Sequence, residues 1–252
     1  MSRVLITRPQ EDAGPLAALL VDRGCSVLIE PMLEIEPLPV SPVTDLVGVQ
    51  GLLFTSANGV RACGPEADRS LPVYAVGAAT ANAARQAGFR TVNGAGGDVA
   101  SLARLVTGHC DPEAGRLLHI TASDRAGDLS GLLVRAGFVV RRLVLYRARP
   151  ATGLSATTRA ALAANEIDAV LLFSPRTART LIALIMTAGL LAACRNVTAV
   201  CLSAAVAEAI GEPESWRSVH VAGQPDQEAL LAELFYDRES RHARPLALAS
   251  GS

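Results

Sequence analysis

Small hydroxyl residues recur at six places where an apolar run gives way to helical spacing. These are Thr7-Arg8, Ser56-Ala57-Asn58, Gly77 to Thr80, Thr121-Ala122-Ser123, Ser174-Pro175-Arg176 and Ser203-Ala204. Strand-to-helix turns of this kind present unpaired backbone N–H groups beside hydroxyls, a combination suited to anions. Any one of them is explained equally well by Ser, Thr or Asn capping its own helix. Six of them, facing each other from two domains, would line a cleft for a polyanion. Arg8, Arg125 and Arg176 stand at or just after such turns, where a guanidinium can hold a carboxylate through two parallel bonds. Arg23, Arg135, Arg141 and Arg142 read instead as solvated surface. The candidate binding residues are therefore Thr7, Arg8, Ser56, Asn58, Gly77, Thr80, Ser123, Arg125, Ser174, Pro175, Arg176 and Ser203.

Several other chemistries lack the residues they need. All 23 basic residues are arginine, so there is no lysine for a Schiff base or a phosphate-binding P-loop. His109, His119 and His220 have no acid or nucleophile at a useful spacing, which leaves a catalytic triad unsupported. No carboxylate pair is placed for general acid–base work. Gly94-Ala95-Gly96-Gly97 is a glycine-rich turn rather than a GxGxxG loop. His109-Cys110 is the one adjacent pair of potential metal ligands, fewer than a zinc site requires. No metal or organic cofactor is expected. The five cysteines (Cys25, Cys63, Cys110, Cys194, Cys201) are odd in number and lack CxxC spacing, as for free thiols in a reducing cytosol. A net charge of -1 gives no global field for nucleic acid or an anionic membrane. The chain opens directly on a strand, and its apolar run Leu181–Ala193 is too short to span a bilayer. A cytoplasmic protein is expected.

The elements that hold these turns are given by a duplication. Arg3–Pro39 aligns without a gap to Arg116–Pro150, an offset of 113 residues, with identities that include Leu5/Leu118, Leu16/Leu129, Leu20/Leu133, Gly24/Gly137, Val27/Val140 and Pro37/Pro150. Later segments repeat as well: Phe54-Thr55-Ser56 matches Leu172-Phe173-Ser174, Val73–Val76 matches Val197–Val200, and Asp98–Val106 matches Asp226–Leu234. Strands are expected at Arg3–Thr7, Ser26–Glu30, Gly51–Phe54, Val73–Val76, Leu117–Ile120 and Phe138–Leu143. Helices are expected at Gln10–Arg23, in a short piece after Ser41-Pro42, after Gly77, at Asp98–Val106 and at Arg125–Ala136. Alternation at these spacings implies parallel sheets in two small, flavodoxin-like α/β domains. With 50% hydrophobic but only 4% aromatic residues, their cores must be aliphatic.

The copies diverge where Leu33-Glu34-Ile35-Glu36 lies opposite Tyr146-Arg147-Ala148-Arg149. Alternate strand residues share a face. If the two segments pair antiparallel, Glu34 and Glu36 can meet Arg147 and Arg149 across the ladder, and Tyr146 points the other way. The repeat alone leaves two arrangements open: tandem domains at about 1–110 and 116–235, or an exchange of chain through this bridge.

VLITRP at the start, LLFTSANGV at 52–60, AVGAATA at 75–81, the LxLY ending in Tyr146 and LLFSPRTA at 171–178 together resemble uroporphyrinogen-III synthases, in order, over about residues 3 to 235. The resemblance implies a discontinuous domain 1 (1–33 with 151–236), an inserted domain 2 (40–143) and a two-stranded antiparallel bridge (34–39 and 144–150). Residues 237–252, polar and without apolar periodicity, are expected to be disordered. It also implies closure of the linear tetrapyrrole hydroxymethylbilane to uroporphyrinogen III with inversion of ring D and loss of water, without a cofactor. Tyr146 is the implied catalytic residue, donating a hydrogen bond to the departing hydroxyl. The implied protein is a monomer whose substrate is hydroxymethylbilane and whose candidate partner is the enzyme that supplies it; no nucleic acid and no membrane is involved. Two departures stand out. Cys201-Leu202-Ser203-Ala204 replaces a Gly-Pro-Thr-Thr-like turn, and Asn58 stands where an arginine is frequent, with Arg176 carrying the charge in the other domain. The rival reading is a non-catalytic two-domain module that binds or senses a polyanionic small molecule; a flavin or nucleotide enzyme lacks its phosphate loop.

Overall fold

Short runs of leucine and β-branched residues bounded by Gly, Pro and Ser form the strands of this computed structural model, which describes residues 2–39, 46–123 and 127–242. In chain order the strands are β1 (Arg3–Ile6), β2 (Ser26–Ile29), β3 (Leu33–Pro37), β4 (Val49–Phe54), β5 (Val73–Ala75), β6 (Val92–Gly94), β7 (Arg116–Ala122), β8 (Val140–Pro150), β9 (Ala169–Leu172), β10 (Thr198–Cys201) and β11 (Ser218–Val221). The helices are α1 (Gln10–Asp22), α2 (Ala57–Ala62), α3 (Ala78–Gln86), α4 (Val99–His109), α5 (Leu129–Arg135), α6 (Ala156–Ala163), α7 (Pro175–Thr187), α8 (Ala204–Glu208) and α9 (Gln227–His242). The chain divides into two units, Met1–Glu34 with Pro150–Ser252, and Ile35–Arg149.

The first unit holds a parallel five-stranded sheet in the order β11-β10-β9-β1-β2. The second holds β3-β8-β7-β4-β5-β6, parallel from β8 to β6. The duplication relates β1 and β2 to β7 and β8, and β9 and β10 to β4 and β5. With that equivalence both sheets have the doubly wound order 2-1-3-4-5. The second unit simply begins at the third strand of that order, as a circular permutation of the first.

Both faces of each sheet are covered, so strand residues are apolar in succession rather than alternately. In the first unit Leu5, Val170, Leu172 and Cys201 pack with Leu181, Ile185 and Trp216, while Val4, Ile6, Leu171 and Val200 meet Leu16, Leu20, Leu230 and Leu234. In the second, Leu52, Phe54, Leu118 and Ile120 pack with Val60, Ala81 and Phe89; Leu53, Tyr74 and Leu117 face Leu102, Val106, Leu129 and Leu133. Each fully buried leucine or isoleucine contributes about 1.5–3 kcal/mol over its exposed state. Four of the five free thiols are buried and Cys110 is half-buried.

Several expected elements differ in extent. Gly94, read as part of a turn, belongs with Asn93 to β6, because the exposed edge of β5 supplies a parallel partner for even a short run. The glycines that follow do turn: Gly97 adopts φ +104° and its Cα would lie 3.2 Å from a Cβ on Gly77. The segment after Phe138 and the bridge are one eleven-residue strand, β8. Against it lies β3, running antiparallel: the Leu38 N–H bonds the Leu145 carbonyl at 2.9 Å and the Ala151 N–H bonds the Met32 carbonyl at 3.1 Å. The bridge is thus continuous with the second sheet. Leu38–Leu145 sets Glu36 opposite Arg147, but the ion pair is diagonal, from Arg149 to Glu36 at 3.0 Å. Helix α9 runs to His242, six residues into the stretch expected to be disordered, because Asp226 caps its start and Leu230, Leu231 and Leu234 anchor it to the sheet. Residues 243–252 lie outside the described residues, as do 40–45, where most of the short helix after Ser41-Pro42 was expected. Helix α5 starts at Leu129, where Asp128 accepts from the Gly131 N–H at 3.0 Å.

Candidate active site

The hydroxyl-bearing turns of each unit gather at the carboxyl ends of its parallel strands. In the first unit they follow β1, β9 and β10, three neighbours in the sheet. Thr7 is fully buried and donates to the Leu171 carbonyl at 2.7 Å, so its hydroxyl ties β1 to β9. Arg8 donates to the Gln227 side-chain carbonyl at 2.8 Å, and its guanidinium lies 4.2 Å from the centre of the Phe173 ring. Ser174 caps α7 in a reciprocal box: its oxygen accepts from the Thr177 N–H at 3.1 Å, and the Thr177 hydroxyl accepts from the Ser174 N–H at 3.1 Å. Pro175 opens the helix, where its missing N–H costs nothing. Arg176 is half-buried on the first turn. Ser203 stands at the start of α8 without a side-chain cap bond.

In the second unit the turns follow β4, β5 and β7, again three neighbours in the sheet. Ser56 caps α2, accepting from the Asn58 N–H at 3.2 Å. Asn58 is buried and its side-chain oxygen accepts from Arg61. Gly77 starts α3 with Thr80 buried one turn in. The Ser123 N–H bonds the Tyr146 carbonyl at 2.9 Å, which ties the end of β7 to β8. Arg125 lies outside the described residues.

Tyr146 is buried at 4% exposure among Phe54, Val60, Ile120 and Leu145. Burial raises its pKa, while the Ser56 hydroxyl and the Arg61 charge pull it back. At neutral pH it is a protonated phenol, able to donate.

Two residues outside the expected set lie close by or in a pocket of their own. Arg61 is three positions after Asn58, one helical turn on, and that spacing is the signal by which it could have been found. His119 is buried at 7% exposure, with Nε2 3.5 Å from the Thr55 hydroxyl and Nδ1 3.4 Å from the Ser130 hydroxyl. Burial, and then the charge of Arg142, push its pKa down to about 4. Arg142, expected on the solvated surface, is half-buried and lines with His119, Thr121 and Ser130 a cavity of about 100 Å³. A parallel neighbour on either side of β7 makes this interior. Among the described residues no group of three or more His, Cys, Asp or Glu is placed to hold a metal ion, and no helix is long and apolar enough to cross a membrane.

Residues 14–232 match the model of the family described as uroporphyrinogen-III synthase HemD. A 61-residue segment is 39% identical to the uroporphyrinogen-III synthase of Chlorobaculum parvum, which covers 24% of this chain and 25% of that protein. Two solved structures share the fold. One is a mutant uroporphyrinogen III synthase from Thermus thermophilus (TM-score 0.58, 21% identity, 97% of this chain and 100% of that one). The other is uroporphyrinogen-III synthetase from Helicobacter pylori (TM-score 0.63, 16% identity, 94% and 100%).

Proposed function

The chain belongs to the uroporphyrinogen-III synthase family, and from that premise we propose that it closes hydroxymethylbilane to uroporphyrinogen III. The observation that carries this reading is the family match over residues 14–232, which takes in both units. The substrate bears acetate and propionate groups, which suits hydroxyl- and amide-rich turns better than a phosphate loop. We read the domains as 1–33 with 151–236 and 40–143, joined through 34–39 and 144–150. The turns that carry Thr7, Arg8, Ser174, Pro175, Arg176 and Ser203 in one, and Ser56, Asn58, Gly77, Thr80, Ser123 and Arg125 in the other, supply the amides and side chains that bind the carboxylates. Positioning both ends of a flexible chain accounts for much of the acceleration.

The reaction begins when the terminal C–O bond breaks with its electron pair going to oxygen. The adjoining pyrrole N–H loses its proton, water departs, and an electrophilic azafulvene remains. Attack by the substituted end gives a spiro intermediate that fragments and recloses with the last ring inverted. Tyr146 stabilises the first step by donating to the departing oxygen, and burial keeps it protonated for that purpose. The protein works as a cytoplasmic monomer without metal or organic cofactor, taking its substrate from the enzyme that makes it.

The test is incubation of the purified chain with enzymatically generated hydroxymethylbilane, followed by oxidation and separation of the porphyrin isomers. Type III is expected to predominate, and exhaustive chelation is expected to leave it so. Type I alone, the product of spontaneous closure, would refute the reading.

A further inference from the structure

Ser56 follows β4 and Tyr146 lies on β8, the two strands on either side of β7. Thr121 pairs with Val144 but Ala122 pairs with Tyr146, which leaves Leu145 as an extra residue. Bulges of this kind re-aim side chains. Here Leu145 and Tyr146, adjacent in sequence, both enter the core beside Phe54 and Val60, the residues that flank the Ser56 turn, and Ser56 and Arg61 both act on the Tyr146 phenol. Behind Ser56 stands a chain of donors: Arg61 donates to the Asn58 side-chain oxygen, and the Asn58 N–H donates to the Ser56 oxygen at 3.2 Å.

We infer that Arg61, Asn58 and Ser56 are positioning residues that together fix the direction in which the Tyr146 hydroxyl donates. A serine oxygen that already accepts from Asn58 turns its own proton toward the phenol oxygen. The proton of Tyr146 is then left for a substrate oxygen. Arg61 acts in the same sense, since a nearby cation favours electron density on the phenol oxygen and makes its proton a better donor. Among the described residues Arg61 is the charged group acting on Tyr146.

Gly59 is what leaves Ser56 available. Its counterpart in the first unit is Thr177, whose hydroxyl lies 2.8 Å from that of Ser174 and occupies it. A side chain at position 59 has no room, because a Cβ there would sit 3.1 Å from the Ile120 carbonyl oxygen and 3.3 Å from the Phe54 ring.

The kinetic part of this inference rests on the proposed activity; a titration does not. The chain has three tyrosines, so the tyrosinate absorbance of each variant minus that of its Tyr146→Phe counterpart isolates Tyr146. Arg61→Gln and Ser56→Ala are each expected to raise the Tyr146 midpoint. Arg61→Lys, which keeps the charge, and Ser56→Thr, which keeps the hydroxyl and the cap, are expected to titrate like the native chain. With hydroxymethylbilane, Arg61→Gln should lower kcat by about three- to tenfold with little change in KM, Ser56→Ala should lower kcat to a similar degree, and neither should lower it further once Tyr146 is phenylalanine. A midpoint unmoved by both removals, or a Ser56→Thr chain that titrates like Ser56→Ala, overturns the inference. If the native chain does not convert hydroxymethylbilane, the proposed activity fails and the titration still decides this one.

Discussion

Ser56 and Ser174 occupy the same place in two copies of one fold, but their hydroxyls have different partners. Ser174 is enclosed by its own helix, held in a reciprocal capping box by Thr177. Ser56 caps α2 without such a box and acts on a tyrosine 90 residues away in sequence. The counterpart of Tyr146 in the first copy is Leu33, which cannot donate, and there the strand stops at Ile29 instead of continuing as β8 does. A duplicated scaffold binding a substrate with two different ends needs asymmetry somewhere. Here it takes one threonine exchanged for glycine, one leucine exchanged for tyrosine and one bulge.

The largest expected effect is at Tyr146. Tyr146→Phe keeps the aromatic volume, so the fold should survive by circular dichroism. The rate should fall by about ten- to a thousandfold, within the range general-acid help supplies, with proportionally more type I isomer in the product analysis. Full activity would assign Tyr146 to packing, like its counterpart Leu33.

The sheets differ next at His119, whose counterpart in β1 is the fully buried Ile6. His119 is neutral in the folded chain, with its pKa lowered from 6.5 to about 4. Protonation therefore favours the unfolded state. Its contribution is fully present above 6.5 and is lost as pH falls toward 4, by up to about 1.4 kcal/mol per unit. Denaturant unfolding of the native chain and of His119→Leu across this range should show the steeper acid loss in the native chain; parallel curves would assign it elsewhere.

Ser174→Ala should act on stability, by about 0.5–2 kcal/mol for a lost cap, measured by urea unfolding. Its kcat should fall less than that of Ser56→Ala; an equal fall would give the two turns one role. Gly59→Ala gives the smallest and most diagnostic effect. Glycine to alanine within a helix normally stabilises by about 0.5–1 kcal/mol. Gly14 on α1, where an added methyl would meet nothing within 4 Å, should show that gain. At Gly59 the neighbouring backbone carbonyl of central β7 cannot yield, so a net loss of about 1 kcal/mol is expected in the same unfolding assay.

Much of this protein was legible in its sequence because the information is local or repeated. Leucine spacing at Leu16, Leu19 and Leu20 specifies α1, glycines end the helices, and serines mark where strands become helices. The 113-residue offset told that β7 and β8 copy β1 and β2, from which two parallel sheets follow. Binding candidates such as Ser56, Ser174 and Ser203 were found because a helix start is a short-range signal. Other features depended on which strands lie side by side, and no local pattern encodes that. Arg142 has a surface residue's sequence context and becomes half-buried only because β8 lies beside β7. β6 exists because β5 offers it an edge. The approach of Tyr146 to the Ser56 turn needs the sheet order that sets β4 and β8 around β7, and the one-residue bulge that turns the phenol inward. Propensity acts over a few residues, whereas these contacts span tens of residues and form only when the whole sheet has assembled.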